Sequence, residues 1–337
     1  MRKIIYYLKR IFSMDYRGFI NTISKVSRRS GKSKLLIFFD MLLSSIRYGA
    51  GYTDYFLFYF EDLNHQQKKT FITRTINNSY VKLLNDSAYY DLFWDKVKFN
   101  NEFKDLLNRD FLDLETKKIE DFKKFVKKHP IFIAKPIRAT SGIGVEKIKT
   151  NSKTNFDDLY QKLITNNQKL LEEYVVQHPK MNELCEASVN TLRIVTIRKN
   201  NKTHIMLRVI RIGNGINAVD NFHMGGMYSV FDEKGVITKP AVNREGVVFE
   251  EHPLTKTKYV GFKIPCYDEV IKLAIKASQR IPQIRLVGWD IAIAKQGPVI
   301  IEGNELPGYD LYQSKVHLDD DGFGLKPAFD KIIFDKK

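Results

Sequence analysis

The sequence predicts an α+β protein, with a basic and mainly helical N-terminal region ahead of a strand-rich body. Three observations carry that expectation. Residues 1 to about 125 run in long amphipathic stretches with few strand-like interruptions. From residue 131 the texture changes to IFIAKPI, EKIKT, KLLEEYVV, NTLRIVTIRK and THIMLRVIRIG, separated by turn residues. Finally, GWDIAIAKQGPVIIEGNELPG (288–308) holds two apolar runs around a polar, glycine-containing turn, which is how a hairpin reads.

In the N-terminal region, residues 1–34 hold ten Lys/Arg (among them Arg2, Lys3, Lys9 and Arg10) against one acid, Asp15, which is +9 of the net +16. The opening MRKIIYYLKRIF interleaves cations with aromatic and aliphatic residues. Both a membrane-surface helix and the solvated basic face of an ordinary helix fit that pattern. No nucleic-acid-binding module accompanies the charge, so nucleic acid is not an expected partner. LLIFFDMLLSSI (35–46) is too short to cross a bilayer and carries Asp40. Lys9 and Arg10 interrupt any signal-peptide core, so a cytoplasmic location is expected, with peripheral contact at the inner membrane face left open. Further on, TDYFLFYF reads as strand-like, and LETKKIEDFKKFVKKHP reads as a solvated helix closing at His129-Pro130. Helical patterns return at 155–164, at 267–281 and near the C-terminus.

Two cysteines, Cys185 and Cys266, offer no disulfide framework. His178, His223 and His252 are scattered without ligand spacing, and surface or loop positions are expected for them.

The final hairpin raises the sharpest chemical question. With a three-residue loop Lys295-Gln296-Gly297, Ala294 pairs with Pro298 and Asp290 falls opposite Glu302. Asn304 then shares a face with Glu302. Facing carboxylates repel, and two carboxylates with an amide form an oxygen set suited to a hard cation such as Mg²⁺. A solvated hairpin edge is the alternative that spacing leaves open.

Upstream, IFIAKPIRATSGIGVEKI places Lys135 at a strand end before a loop with Ser141, Gly142 and Gly144. Backbone N–H groups of such a loop can approach phosphate oxygens, although a plain turn also fits. Glu172 and Glu173 in KLLEEYVV could meet an adenine amino group or ribose hydroxyls, or remain solvated. Asn190 and Arg193 interrupt an apolar strand, and Arg208 and Arg211 precede a loop containing Asp220, Asn221, Gly225 and Gly226. An arginine within a strand pattern is costly unless it meets an anion, and arginines beside such a loop suit capture of carboxylate or phosphate.

The order of these parts resembles the ATP-grasp superfamily over about residues 90–315. Glu302-x-Asn304 followed by Pro307-Gly308, with Asp290 one strand earlier, is similar to the magnesium site of the D-alanine–D-alanine ligases. Arg211, Asn221 and Gly225-Gly226 are similar to the substrate-side loop of ligases that add amino acids to protein termini. Closer still, DYFLFYF, DKVKF, QHPKMNELCEASVNTLRIVTI, VDNFHMGG and GWDIAIAKQGPVIIEGN resemble the sugar-transfer-associated ATP-grasp branch, linked to bacterial surface polysaccharides including the teichuronopeptide type.

That resemblance implies a helical region at 1–90 and an ATP-grasp domain at 91–337. Within the latter it implies a phosphate-lid part near 126–176 and a metal and substrate part near 177–337. It implies that Lys135 and Lys96 hold ATP phosphates and that Ser141, Gly142 and Gly144 form the lid. Glu172, Glu173 and Val175 would line the adenine hinge, and Asn190 would take a ribose contact. Asp290, Glu302 and Asn304 would hold Mg²⁺, as two ions. The D-alanine ligases place an arginine two residues before the metal aspartate, where this chain has Gly288, so Arg193 or Arg211 would steady the transferring phosphoryl group. The implied activity is an ATP-dependent carboxylate–amine ligase acting on a small molecule or an acidic polysaccharide precursor. A kinase on a sugar hydroxyl and a non-catalytic membrane-associated protein remain the alternatives.

Overall fold

The computed structural model describes residues 15–139, 142–215, 225–309, 311 and 313–335. The stretch MRKIIYYLKRIF lies outside the described residues. The chain divides into two compact units. One runs to Tyr80 and takes in Tyr309–Lys331; the other holds Val81–Gly308 and the chain from Ile332 on. A break near residue 90 was expected, with the C-terminal stretch left in the body. Long-range polar contacts return that stretch to the first unit: Tyr309 donates its hydroxyl to Asp54 (2.6 Å), and Gln313 bonds both backbone groups of Ile72 (2.9 and 3.0 Å).

In the first unit, helix α1 (Tyr16–Ser30) starts at Asp15, whose carboxylate accepts from Gly18 N, and stops at left-handed Gly31. Ser33 caps α2 (Lys34–Tyr48) in the same way. The strand-like TDYFLFYF folds as helix α3 (Tyr52–Leu57) followed by a 3₁₀ turn at Phe60–Asp62. The cause is local: Asp54, at the third helical position, accepts from Gly51 N (2.7 Å), which anchors a helix start and outweighs the β-propensity of the aromatics. Tyr55, Phe58, Phe60 and Phe71 then pack with Ile23, Val26, Ile37 and Met41 as the core of this unit.

The second unit carries two antiparallel sheets. The smaller has strand order β1 (Phe111–Asp113), β4 (Leu170–Glu173), β2 (Ile131–Lys135), β3 (Glu146–Lys149). Its apolar side chains, Phe132, Ile148 and Leu171, pack with Phe122, Phe125 and Val126 of α4 (Ile119–Lys128) and Leu163 of α5 (Phe156–Thr165).

The larger sheet runs β11 (Gly297–Asn304), β10 (Leu286–Ala294), β5 (Thr191–Lys199), β6 (Lys202–Ile212), β7 (Met227–Val230), β8 (Ala241–Asn243), β9 (Val248–Phe249). Helix α6 (Tyr267–Ser278) contributes Val270, Leu273, Ala274 and Ala277 to its core. All nine residues of β10 are buried, because it pairs on both edges and is covered on both faces. Trp289 lies edge-on to Phe103 (5.5 Å) and donates its N–H to Thr196 Oγ1 (3.0 Å). Asp290 is the one charged residue on that strand, so it needs partners.

The final hairpin departs from expectation at its tip and recovers at its base. Ala294 pairs with Gly297, so the loop has two residues, with Gly297 at φ +126°. That register alone would set Asp290 opposite Ile301. A β-bulge between Asp290 and Ile291 leaves Ile301 without a partner and brings Glu302 opposite Asp290.

No helix among the described residues is long and apolar enough to cross a membrane. Neither cysteine forms a disulfide. His252 lies in a loop, one of the two settings expected, and is fully buried there: Nε2 meets Gly213 O (3.0 Å), and Nδ1 accepts from Leu254 N and Thr255 N (both 3.2 Å).

Candidate active site

Asp290 sits between two arginines from neighbouring strands. Arg193, directly across on β5, meets it fork to fork: Nε donates to Oδ1, and a terminal nitrogen donates to Oδ2 at 2.8 Å. Arg211 on β6 donates to Oδ2 (2.7 Å) and to Thr191 Oγ1 (3.0 Å). Burial alone would raise the Asp290 carboxyl, but the two guanidinium charges overcome it and hold it at about 2. Arg208, three residues before Arg211, turns elsewhere and donates to Tyr267 Oη (2.9 Å).

Glu302 faces Asp290 from β11 and has no ion-pair partner among the described residues. Burial and then the Asp290 charge push its carboxyl above the usual range. Asn304, on the same strand, lies 3.4 Å from Glu302 Oε1 and from Gly288 O. This donor set fits a divalent cation. Glu302 feels Arg211 and Arg193 without pairing with either, Asp290 and Glu302 are close enough to share a proton, and the amide supplies a neutral oxygen.

Gly288 lies beside Arg193 and Pro307. A methyl group there would lie 3.1 Å from Arg193 Cδ and 3.1 Å from Pro307 Cβ. The missing side chain on β10 leaves the space through which Arg193 reaches Asp290. Gly288→Ala is therefore expected to displace Arg193, lowering stability by about 1–3 kcal/mol. Equilibrium urea denaturation would measure the loss.

Lys135, Lys96 and Glu172 belong to a second network. Lys135, at the end of β2, pairs with Glu172 on β4 (2.6 Å). Arg109 Nη1 lies 2.7 Å from the same Glu172 oxygen, as an ion pair outside hydrogen-bond alignment, and Asn100 donates to the other oxygen (2.9 Å). Burial opposes ionisation of Glu172, but Arg109 and Lys135 bring its carboxyl down to about 2. Burial in turn lowers Lys135, opposed by Glu172. Lys96 begins the short helix Lys96–Glu102 and donates to Ala139 O at the edge of the glycine loop. Its acidity is raised by burial and then by the charge of Lys135, and Glu302 acts on both lysines. The lysine pair and the carboxylate pair thus share one electrostatic neighbourhood.

Arg109 and Asn100 carry no sequence signal: one is a lone arginine in the turn NRDF, the other a polar residue on a short helix. Yet Arg109 also donates to Ile300 O and Ile301 O (both 3.1 Å), the carbonyls flanking the bulge. One guanidinium therefore ties the strand bearing Glu172 to the irregularity that aligns Glu302.

Other expected residues fall in different settings. Glu172, expected at the adenine hinge, is engaged by Arg109, Lys135 and Asn100. Glu173 accepts from Asp110 N (3.0 Å). Val175 packs with Ala292, Ala294 and Val299 in a small apolar cluster. Asn190, expected at a ribose contact, bonds within the protein. It is fully buried, its amide N–H groups go to Gln177 Oε1, Met181 O and Cys185 O (2.9–3.1 Å), and its oxygen accepts from Gly213 N (3.3 Å). Its polar groups are spent on shaping the 177–190 turn. Gly142 and Gly144 have φ of +76° and +74°, and a methyl at Gly144 would strike Pro136 at 2.8 Å. Gly225 (φ +87°) and buried Gly226 precede β7. Ser141 and Asn221 lie outside the described residues.

Three solved structures illustrate the likeness in fold. D-alanyl-alanine synthetase A from Vibrio cholerae is 15% identical, with 72% of this chain and 65% of that chain covered and a TM-score of 0.42. D-alanine–D-alanine ligase from Helicobacter pylori is 15% identical, covering 72% and 61%, at 0.42. The ATP-grasp ligase PsnB, complexed with a phosphomimetic variant of its minimal precursor, Mg and ADP, is 13% identical, covering 74% and 61%, at 0.45. The chain spans under two thirds of the length of each. Comparison with curated proteins finds no match. The model of the sugar-transfer associated ATP-grasp family matches residues 75–314, well over half the chain, and the protein belongs to that family.

Proposed function

We propose that the protein is an ATP- and Mg²⁺-dependent ligase that activates a substrate carboxylate as an acyl phosphate and couples it to an amine. The observation that carries this reading is that Glu302, paired across the hairpin with Asp290, acts electrostatically on both Lys96 and Lys135, in a chain of this family. Phosphoryl transfer to a carboxylate asks mainly for positioning and charge neutralisation, since the nucleophile is already ionised at neutral pH.

In the first step a carboxylate oxygen bonds to the γ-phosphorus and the bond to the ADP oxygen breaks. In the second, the amine nitrogen bonds to the acyl carbon, phosphate leaves and one N–H proton passes to solvent. Lys96 and Lys135 hold phosphate oxygens, with the backbone at Gly142 and Gly144 free to approach them. Arg193 fixes Asp290, and Arg211, the more exposed of the two arginines, reaches toward the substrate side. Asp290, Glu302 and Asn304 would hold magnesium, which would supply charge neutralisation for the phosphate oxygens. Two ions are proposed. The substrate we favour is a uronic acid or related acidic polysaccharide precursor, with an amino acid as the amine, in keeping with the family's association with sugar transfer.

Hydroxylamine trapping tests the chemistry. With ATP, Mg²⁺ and a panel of uronic acids, a ligase releases ADP and yields a hydroxamate. A stable phospho-product without hydroxamate would assign a kinase instead, and absence of any Mg-ATP thermal shift would leave a non-catalytic protein.

A further inference from the structure

Helix α2 is apolar on two faces. Ile37, Met41 and Ser44 point into the core of the first unit. On the opposite side Leu35, Leu36, Phe39, Leu42, Leu43 and Ile46 are exposed, Leu35 and Leu36 to 67% and 65%. Their spacing of one, three, three, one and three residues makes a single continuous stripe on the helix. Tyr16 and Ile20 of α1 are also exposed. Soluble surfaces seldom leave so many large apolar side chains together without a partner.

The charges around the stripe decide what covers it. Arg17, Lys25, Arg28, Lys34 and Arg47 are exposed on α1 and α2, and none forms an ion pair among the described residues. The nearby acids are taken: Asp40 by Lys68 (2.7 Å) and Tyr55 (2.5 Å), Glu61 by Arg29 (2.6 Å), and Asp15 by the start of α1. A second copy docked through this stripe would set Lys34 and Arg47 against the same cations of its partner. Residues 1–14 carry Arg2, Lys3, Lys9 and Arg10 and no acid, so laying them over the stripe would also bring like charges together. An anionic lipid surface is complementary to both features, with headgroups for the cations and acyl chains for the stripe. The 15 residues of α2 span about 22 Å, enough to lie in the interface plane and too short to cross it.

We infer that the outward face of α2 docks the protein on an anionic membrane surface. This rests on the first unit alone and is independent of the proposed ligase chemistry, because its readout is binding. The test is co-sedimentation of the full chain with vesicles of phosphatidylcholine alone or mixed with phosphatidylglycerol. The wild type is expected to partition onto the mixed vesicles, less so as salt rises and less onto neutral ones. Leu36→Gln/Phe39→Gln/Leu43→Gln should weaken partitioning at least about tenfold with an unchanged melting temperature, since only exposed side chains change. Lys34→Gln/Arg47→Gln should weaken it too and flatten the salt dependence. Equal binding by the triple variant would overturn the inference, as would failure of the wild type to bind. A wild-type dimer that the triple variant splits would assign the face to a second copy. Vesicle binding gained only on deleting residues 1–14 would make that segment its cover.

Discussion

Arg109→Ala is expected to lower stability by about 3–5 kcal/mol, the range for breaking a buried ion pair on one side. The Arg109 side chain is 2% exposed and that of Glu172 7%, so solvent cannot replace the lost charge. Lys135 would remain as the cation beside Glu172, while Ile300 O and Ile301 O would both lose their donor. Equilibrium urea unfolding measures the loss, and a change below about 1 kcal/mol would show that the clamp does not hold these strands. A cycle with Glu172→Gln separates the charge from the carbonyl bonds. Once Glu172 is neutral, removing Arg109 should cost less. Arg109→Lys keeps the charge without the fork that reaches both carbonyls. It should therefore spare stability more than turnover, because the bulge that sets Glu302 opposite Asp290 depends on those bonds.

Glu302→Gln is expected to reduce ADP release at least about a hundredfold while leaving the fold intact. The two parts of this expectation have one cause. Burial and the facing Asp290 charge outweigh the pull of Arg211 and Arg193 on Glu302, so its charge opposes folding in the absence of a ligand. An isosteric amide removes that repulsion, and the melting temperature without Mg²⁺ should stay level or rise. The same change removes a negative oxygen from the proposed cation set, so the thermal shift produced by Mg²⁺ and nucleotide should shrink. Near-normal turnover by Glu302→Gln would take this residue out of the metal shell.

Most strands and helices of the second unit are readable from local pattern, because each buries one stripe or face whose period survives in the sequence. The same holds for the family, since the order of Lys135, the glycine loop, the arginine strand and Glu302-x-Asn304 is a property of the chain read end to end. TDYFLFYF was not readable in this way. Its β-prone residues are overruled by a single carboxylate, Asp54, on the Gly51 N–H.

The alignment of Asp290 with Glu302 shows the limit most clearly. Counting from the turn yields that pairing through a three-residue loop, whereas the molecule reaches it through a two-residue loop and a bulge. A bulge shifts register by one residue and leaves no local mark. What holds it is Arg109, nearly two hundred residues away in sequence. The partners of Glu172 and Asn190 were not legible for a related reason. A polar residue type states what it can bond, but its partners come from other strands and turns: Arg109 and Lys135 for the one, Gln177 and the 181–185 carbonyls for the other. Residue chemistry and order along the chain therefore settled the family and the set of groups available. Which groups face each other, and which are consumed in holding the fold, depended on long-range pairing that only packing in three dimensions supplies.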